Sequence, residues 1–510
     1  MVNKSSSKSC LLDPIPTCLL KDCSSTVAVP IAEIINLSLS SGYVPRSLKV
    51  ARVTPCLKKK SLDKDTFANY RPISNLPYLS KILERVVALQ FQDYLISNDL
   101  LSTMQSAYRP CYSTETALLR VQNDILLALD SGKEVLLVLL DFSAAFDTID
   151  HSMLIWRLEK RFGVTGTALT WFKSYLDSRY QMVNISDAQS SPSLLSSGVP
   201  QGSVLGPLLF TLYISPIEDI IKACGINCVF YADDSQLYIT IESCTQLSSV
   251  KNLENCLSQI KQWTVENKLV LNDAKTEVIH FYSNFLKDHL QVTDVIVDQT
   301  SIMPSECARN LGVLFDKHLN MKSHIRNICK KATFALYNIS KIRKYLDTAT
   351  TERLVHAFIT SVLDSCNSLL YGLPSTELDK LQHIQNSAAR LVSRTKRHSH
   401  ITPVLEKLHW LTIRKRIVFK MLLLMYKVNT NSAPSYLREL MNRHNPSRTL
   451  RSSKMMQYVV PSSRTVTFGD RAFAVAGPKL WNKLPMDIKS APSTDCFKSK
   501  LKTYLFKHTL

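Results

Sequence analysis

Read for apolar spacing alone, the chain changes texture near residue 320. Before that point, short apolar runs of strand length alternate with helical stripes. Ile31–Leu39 has the spacing of a helix, and Gly42 and Pro45 stop it. Ala51–Leu57 reads as a strand, followed by the basic run Lys58–Lys60 and a polar turn. Pro77–Ile96 reads as a helix with Leu79, Ile82, Val86, Leu89 and Phe91 on or near one face. Val135–Phe142 is almost continuously apolar, the pattern of a strand buried on both faces. Trp171, Phe172 and Tyr175 have helical spacing. Val229–Ile239 predicts two short strands with a turn at the acidic pair Asp233-Asp234. Leu247–Lys268 predicts an amphipathic helix with Leu247, Val250, Leu253, Leu257 and Ile260 along its stripe. Val278–Tyr282 and Leu311–Leu314 read as further strands. After residue 320 the stripes are helical: Leu354, Val355, Phe358, Ile359, Val362 and Leu363, then Leu381, Ile384, Ala388 and Leu391, then Ile413–Met425. A Pro- and Ser-bearing stretch begins at about 445, and Trp481 and Phe497 mark a compact end piece. The order is mixed α and β first, all-α afterwards.

Composition narrows the classes. At 510 residues with 45% hydrophobic residues and only 12 Gly, the chain can bury cores in about two to four domains. No apolar stretch reaches the ~18 residues of a membrane helix, because Asp141 ends Val135–Leu140 and Lys420 and Lys427 bracket Met421–Tyr426. Met1–Cys10 is polar and lacks the apolar segment of a secretory signal. The 13 Cys are scattered without pairing rhythm, and Cys224 and Cys228 have no second pair at zinc spacing, so free thiols in a cytosolic or nuclear protein are expected. Residues 391–510 hold 23 Lys and Arg against 5 Asp and Glu, which places +18 of the chain's +20 there. A block so local reads as a polyanion-binding surface, nucleic acid being the obvious candidate; a basic face kept for solubility is the bland alternative.

Two acidic sites carry the chemistry. Asp141 stands just after the buried apolar run, in DFSAAFDTID, and Asp233-Asp234 stand at the turn in YADD. A carboxylate at the end of a fully apolar strand is costly unless a cation pairs with it. Two strand-end sites can meet on neighbouring strands and offer the hard oxygen ligands that Mg2+ prefers. A lone Asp-Asp pair would be turn chemistry only; its surroundings argue otherwise.

Tyr231-Ala232-Asp233-Asp234 resembles the signature of reverse transcriptases, and the chain carries that family's further motifs in the family's order. The resemblance is to LINE-type (non-LTR) retrotransposon enzymes and runs from about residue 10 to the end. Tyr70-Arg71-Pro72-Ile73-Ser74 looks like a fingers motif, which implies that Arg71 contacts the incoming triphosphate; Lys58 and Lys59, in the run Lys58–Lys60, look like the basic hairpin beside it. Gln105-Ser106-Ala107-Tyr108-Arg109 resembles the next fingers motif, where the family more often has Gly-Phe-Arg. Asp141 through Asp147 matches the first catalytic motif, with Asp141 as metal ligand and Phe146 at the steric gate that rejects a ribose 2′-hydroxyl; core packing is the plain alternative for Phe146. Gly198-Val199-Pro200-Gln201-Gly202-Ser203-Val204-Leu205-Gly206-Pro207 resembles the loop lining the nucleotide and template pocket, with Gln201 near the incoming base and Gly202 allowing close backbone approach. Asn272 and Lys275 resemble the fourth motif. Lys275 is the candidate proton donor to pyrophosphate, or a surface lysine. Leu311 and Gly312 resemble the primer grip, where the family usually has an aromatic before Leu-Gly. His409–Lys427 and Trp481-Asn482-Lys483-Leu484-Pro485 look like the C-terminal region of the same class.

The resemblance implies an α+β right-hand polymerase: an N-terminal extension over 1–40, fingers and palm with an antiparallel sheet over 41–315, a helical thumb-like domain over 316–440 and a basic C-terminal region over 441–510. It implies RNA-templated addition of deoxynucleotides to a DNA 3′-end, with Asp141, Asp233 and Asp234 holding two Mg2+ ions that Mn2+ could replace. Expected partners are an RNA template, a DNA primer and dNTPs, in nucleus and cytoplasm, with no membrane; nothing in the pattern fixes an oligomeric state. Relatives carry an endonuclease ahead of the polymerase and this chain has no room for one, so a partial element is expected. The rivals are an RNA-dependent RNA polymerase, against which Phe146 and the aromatic-x-Asp-Asp turn argue, and a decayed copy that only binds nucleic acid.

Overall fold

A computed structural model describes residues 10–242, 246–283, 294–297, 300–444 and 456–508. The polar N-terminus through residue 9 and most of the Pro- and Ser-bearing stretch that begins at 445 lie outside the described residues. The α+β class expected from the sequence is what the chain forms. Two compact units draw on interleaved segments. One takes Met1–Tyr108, Asp141–Ala223 and Cys256–Ala274; the other takes Arg109–Leu140, Cys224–Asn255 and Lys275–Leu510.

In the first unit the strand Val50–Leu57 pairs antiparallel with Tyr70–Asn75 and parallel with Tyr180–Ile185. The helix Tyr78–Ser97 buries Ile82, Leu83, Val87, Phe91 and Leu95. Leu89, expected near that face, is turned to solvent. The run VLLVLLDF does not continue as one strand through Phe142. Regular pairing stops at Leu140, and Phe142–Ser143 pairs instead with Val270–Leu271.

The second unit is built on a four-stranded antiparallel sheet, in the order Glu277–Phe281, Glu134–Leu140, Asp234–Ile241, Asn227–Tyr231. Every residue of Glu134–Leu140 except Leu139 is buried, as its unbroken apolar pattern requires. At the far end of that strand, buried Glu134 bonds the buried His280 of the neighbouring strand at 2.7 Å. Burial holds the His280 imidazole below its usual range despite that carboxylate.

Helices and two short hairpins make up the rest of this unit among the described residues. Ser375–Ser393 buries Leu381, Ile384 and Ala388, as the stripe predicted. The stripe from Leu354 to Leu363 is interrupted by a π-helical segment over His356–Thr360, whose wider turn shifts the register and leaves Phe358 exposed. In the helix Gln246–Glu266, whose residues from Cys256 on belong to the first unit, Leu247 is likewise exposed, while Leu253, Leu257 and Ile260 are buried. Ile413–Asn429 packs on Phe473–Asn482 and Thr494–Lys507, joined by the rings of Tyr426, Phe497 and Trp481. One carboxylate anchors residues 464–469. Asp130 ends the helix Thr114–Asp130 and accepts from the amides of Arg464, Thr465 and Gly469 and from the Thr465 hydroxyl. Burial works against its charge, but those donors outweigh it and keep the carboxyl below its usual range. No disulfide joins any of the described cysteines, and among the described residues no helix is long and apolar enough to cross a membrane.

His324 gives this unit a pH dependence. It is buried at the start of the helix Lys322–Ile342, with Nδ1 accepting from the Leu314 amide at 3.4 Å. Burial, with Lys331 and Arg309 adding to it, lowers its pKa to about 4. The folded value lies below the unfolded one, so the unfolded chain binds the proton first. The stabilisation is full above about pH 6.5 and is lost as the pH falls toward 4. Urea unfolding at pH 7 and pH 5 is expected to show a loss about 2 kcal/mol larger in the wild type than in His324→Gln. Equal losses in the two proteins would contradict this reading.

Candidate active site

The acidic turn is a two-residue hairpin. Tyr231 pairs with Asp234, leaving Ala232 and Asp233 as the central residues. Ala232 is buried and adopts φ 58°, a conformation that ordinarily calls for glycine and costs an L-residue about 1 to 2 kcal/mol. The strain puts the two aspartates at the tip of paired strands, Asp233 half-buried and Asp234 exposed. In the same sheet Leu140 pairs with Ser235. Ser235 follows Asp234 in the chain, and Asp141 follows Leu140. Asp141 is half-buried, and its carbonyl accepts the Asn272 amide at 2.9 Å.

The segment after Asp141 turns back and is laced to the Gly198–Leu205 loop. The Gly198 amide donates to the Ile149 carbonyl, and the Val199 amide to the Phe146 carbonyl. The Gln201 side-chain amide donates to the Asp147 carboxylate at 2.8 Å. Gly198 has φ 81°, and a Cβ there would fall 2.7 Å from the Asp147 carbonyl oxygen, so no larger residue keeps this approach. Phe146 is half-buried, its ring 5.1 Å from that of Phe210. The same loop reaches the strand Tyr70–Asn75: the Ser74 amide donates to the Gln201 carbonyl, and a Cβ on Gly202, at φ 133°, would lie 2.4 Å from the Ser74 carbonyl oxygen. Arg71 is exposed on that strand opposite Cys56, and Lys58 and Lys59 are exposed in the loop joining it to its neighbour. Arg71–Ser74, Phe146–Asp147 and Gln201–Gly202, which are distant in sequence, thus come together.

One residue of this assembly carries no motif. Glu84, in the helix Tyr78–Ser97, is buried and accepts from the amides of Val204 and Leu205, at the start of the helix Gly206–Ile214, and from the Tyr175 hydroxyl. Burial pushes its carboxyl up, against the pull of Arg179 and those amides. A carboxylate suits a helix N-terminus, where backbone N–H groups have no partner in the helix. The sequence signal was a lone acid between the core residues Leu83 and Val87.

Leu311 and Gly312 are not strand residues, as the spacing suggested. They are the central pair of a hairpin closed by Asn310 and Val313, with φ 43° and 88°. Two positive φ values define a type I′ turn, whose twist suits tight hairpins. Buried Asn310 donates to Gln236, two residues after Asp234, at 2.7 Å. Lys275 is exposed in the short helical turn Asp273–Lys275. Among the described residues no three His, Cys, Asp or Glu side chains form a ready-made metal cluster. The donor set of Asp141, Asp233 and Asp234 is all carboxylate oxygen, which fits Mg2+. That ion is commonly held by one or two carboxylates plus substrate phosphates rather than by an all-protein cage.

Residues 57–315 match the family described as "Reverse transcriptase (RNA-dependent DNA polymerase)". The probable RNA-directed DNA polymerase from transposon BS of Drosophila melanogaster is 27% identical over 75% of this chain and 42% of its own length. The RNA-directed DNA polymerase from mobile element jockey of the same organism is 26% identical over 71% of this chain and 40% of its own. This chain therefore spans about two fifths of the length of these relatives. Telomerase from Candida albicans, a solved structure, aligns at 13% identity with a TM-score of 0.34, covering 79% of this chain and 66% of that one. With more than half of its residues matched from the basic loop to the hairpin beyond Gly312, the chain belongs to the reverse transcriptase (RNA-dependent DNA polymerase) family.

Proposed function

We propose that the chain is the RNA-directed DNA polymerase of a non-LTR retrotransposon, extending a DNA 3′-end with dNTPs on an RNA template. The observation that carries the reading is the register Leu140↔Ser235. Asp141 and Asp234 are the chain neighbours of that one pair, and Asp233 is the residue before. Asp141, Asp233 and Asp234 would hold two Mg2+ ions together with the substrate phosphates. When bound, the ions would offset the charge on the attacking and leaving oxygens and acidify the primer hydroxyl.

The remaining residues position the reactants. Arg71 grips triphosphate oxygens with its planar fork, and Lys58 and Lys59 add positive charge on the neighbouring loop. Gln201, steadied by Asp147, lies under the incoming base, and Gly202 keeps that loop against the fingers strand. Phe146 takes the space a 2′-hydroxyl would need. Lys275 is the proposed proton donor to pyrophosphate, and the Leu311-Gly312 turn the proposed primer grip. The names of the relatives, RNA-directed DNA polymerases of mobile elements, support the RNA template. The basic block 391–510 supports phosphate contacts that weaken as salt rises.

Primer extension on an RNA template tests the proposal. Wild type with Mg2+ and dNTPs is expected to extend, and Asp233→Ala to lose at least a thousandfold in rate while keeping its folded spectrum. Absence of extension by a folded wild type, with Mg2+ or Mn2+, would leave a protein that only binds nucleic acid. A second test concerns sugar choice. Phe146→Ala is expected to raise the ratio of ribonucleotide to deoxynucleotide incorporation at least tenfold. An unchanged ratio would make Phe146 a packing residue against Phe210.

A further inference from the structure

The strand Tyr70–Asn75 and the helix Tyr78–Ser97 are joined only by Leu76 and Pro77. The joint is stiff. Leu76 is fully buried, Pro77 has its φ set by its ring, and the Tyr78 amide donates to the Asp13 carboxylate at 2.7 Å. Lys81, in the first turn of the helix, donates to the Asn75 side chain at 3.0 Å. Strand, joint and helix are thus braced as one piece.

That piece grips the loop Gly198–Leu205 at two points. The first is at the strand, where the Ser74 amide donates to the Gln201 carbonyl at 2.8 Å. The second is in the helix, where Glu84 accepts from the amides of Val204 and Leu205. Between them Ser203 closes the start of the helix Gly206–Ile214 by accepting the Gly206 amide at 3.0 Å. The two carboxylate oxygens of Glu84 serve different elements. Oε2 takes both loop amides, and Oε1 takes the Tyr175 hydroxyl at 3.2 Å. The nearby cation is Arg179, itself buried, which lies over the Tyr175 ring at 4.7 Å and donates to the Tyr175 carbonyl at 3.0 Å. Its Nε and Nη2 have no hydrogen-bond partner among the described residues, so Glu84 offsets it through space alone. A buried acid and base kept only for stability would bond to each other. Here the acid spends its bonds on the two amides beside the Gln201-Gly202 turn.

From these observations we infer that Glu84 is a positioning residue for the incoming nucleotide. Through Val204 and Leu205 it holds Gln201 at a set distance from Arg71, so that the loop takes the base while the strand takes the triphosphate of the same molecule. The inference rests on the polymerase reading, which gives Arg71 and Gln201 their ligand. Glu84 touches neither nucleotide nor metal. The span it sets is needed as soon as nucleotide binds, so its loss raises the KM for dNTP and spares kcat.

Single-nucleotide incorporation by the full chain on a primed RNA template tests it. KM and kcat for dNTP are measured beside primer–template affinity without dNTP and stability in urea. Glu84→Gln keeps the shape and turns charge-assisted bonds into ordinary ones. It is expected to raise KM about fivefold or more, with kcat and primer–template affinity within about twofold of wild type. It also leaves Arg179 buried without its counter-charge, which lowers stability. Glu84→Gln with Arg179→Met removes both charges, and is expected to regain stability while KM stays raised. An unchanged KM in Glu84→Gln, or a KM that returns to the wild-type value in the double variant, would overturn the inference and make Glu84 a structural acid. A folded wild type that incorporates nothing would overturn the polymerase reading and this inference with it, so the two failures are told apart.

Discussion

The antiparallel pairing of Glu134–Leu140 with Asp234–Ile241 is the interaction on which the candidate site depends. A shift of one residue in this pairing would exchange the two faces of a strand packed on both sides, and close packing opposes that. The same strand ends carry the proposed metal ligands, because the chain puts acids directly beyond the apolar residues. The next residue after Leu140 is Asp141, and the two before Ser235 are Asp233 and Asp234. Ordered carboxylates at the edge of an apolar core are costly, and the turn adds strain by holding Ala232 at positive φ. Such costs persist where the surrounding structure fixes them, which is the usual condition of functional sites.

In the first unit, hydrogen bonds and close backbone approaches fix the loops. Gly198 and Gly202 each sit where a Cβ would collide with a carbonyl oxygen, of Asp147 and of Ser74 respectively. The loop between them is therefore pressed against the turn that carries Phe146 and the strand that carries Arg71. Glu84 secures its other end through the amides of Val204 and Leu205. In the second unit Asn310 and Gln236 tie the Leu311-Gly312 turn to the strand that begins at Asp234. The loops whose side chains are proposed to meet nucleotide are thus held by backbone approaches and side-chain hydrogen bonds, the arrangement that positioning chemistry needs.

Much of this was legible in the sequence because apolar spacing is a local signal. The unbroken run of Val135–Leu140, the acidic turn and the Ser375–Ser393 helix each follow from residues within a few positions of one another. What failed was local pattern overruled by its surroundings. Leu89, Leu247 and Phe358 fit helical stripes yet face solvent, Phe358 because a π-helical turn moved the register. Leu311-Gly312 looked like strand because Leu is apolar, whereas the backbone needed two positive φ values there. Partners distant in sequence left no local trace: Glu84 with Val204, Asp130 with Thr465, and the interleaving of segments into two units.

The central claim is that Asp141, Asp233 and Asp234 hold a pair of metal ions on the substrate. Mn2+ titration of the chain with primer, RNA template and an unreactive dNTP analogue, read by electron paramagnetic resonance, tests it most directly. The account predicts two bound ions whose spins couple as expected for a separation of ~3.5–4 Å, with both the coupling and the second ion lost in Asp141→Asn and in Asp233→Asn. Two coupled ions bound equally well by the wild type and by both variants would contradict it.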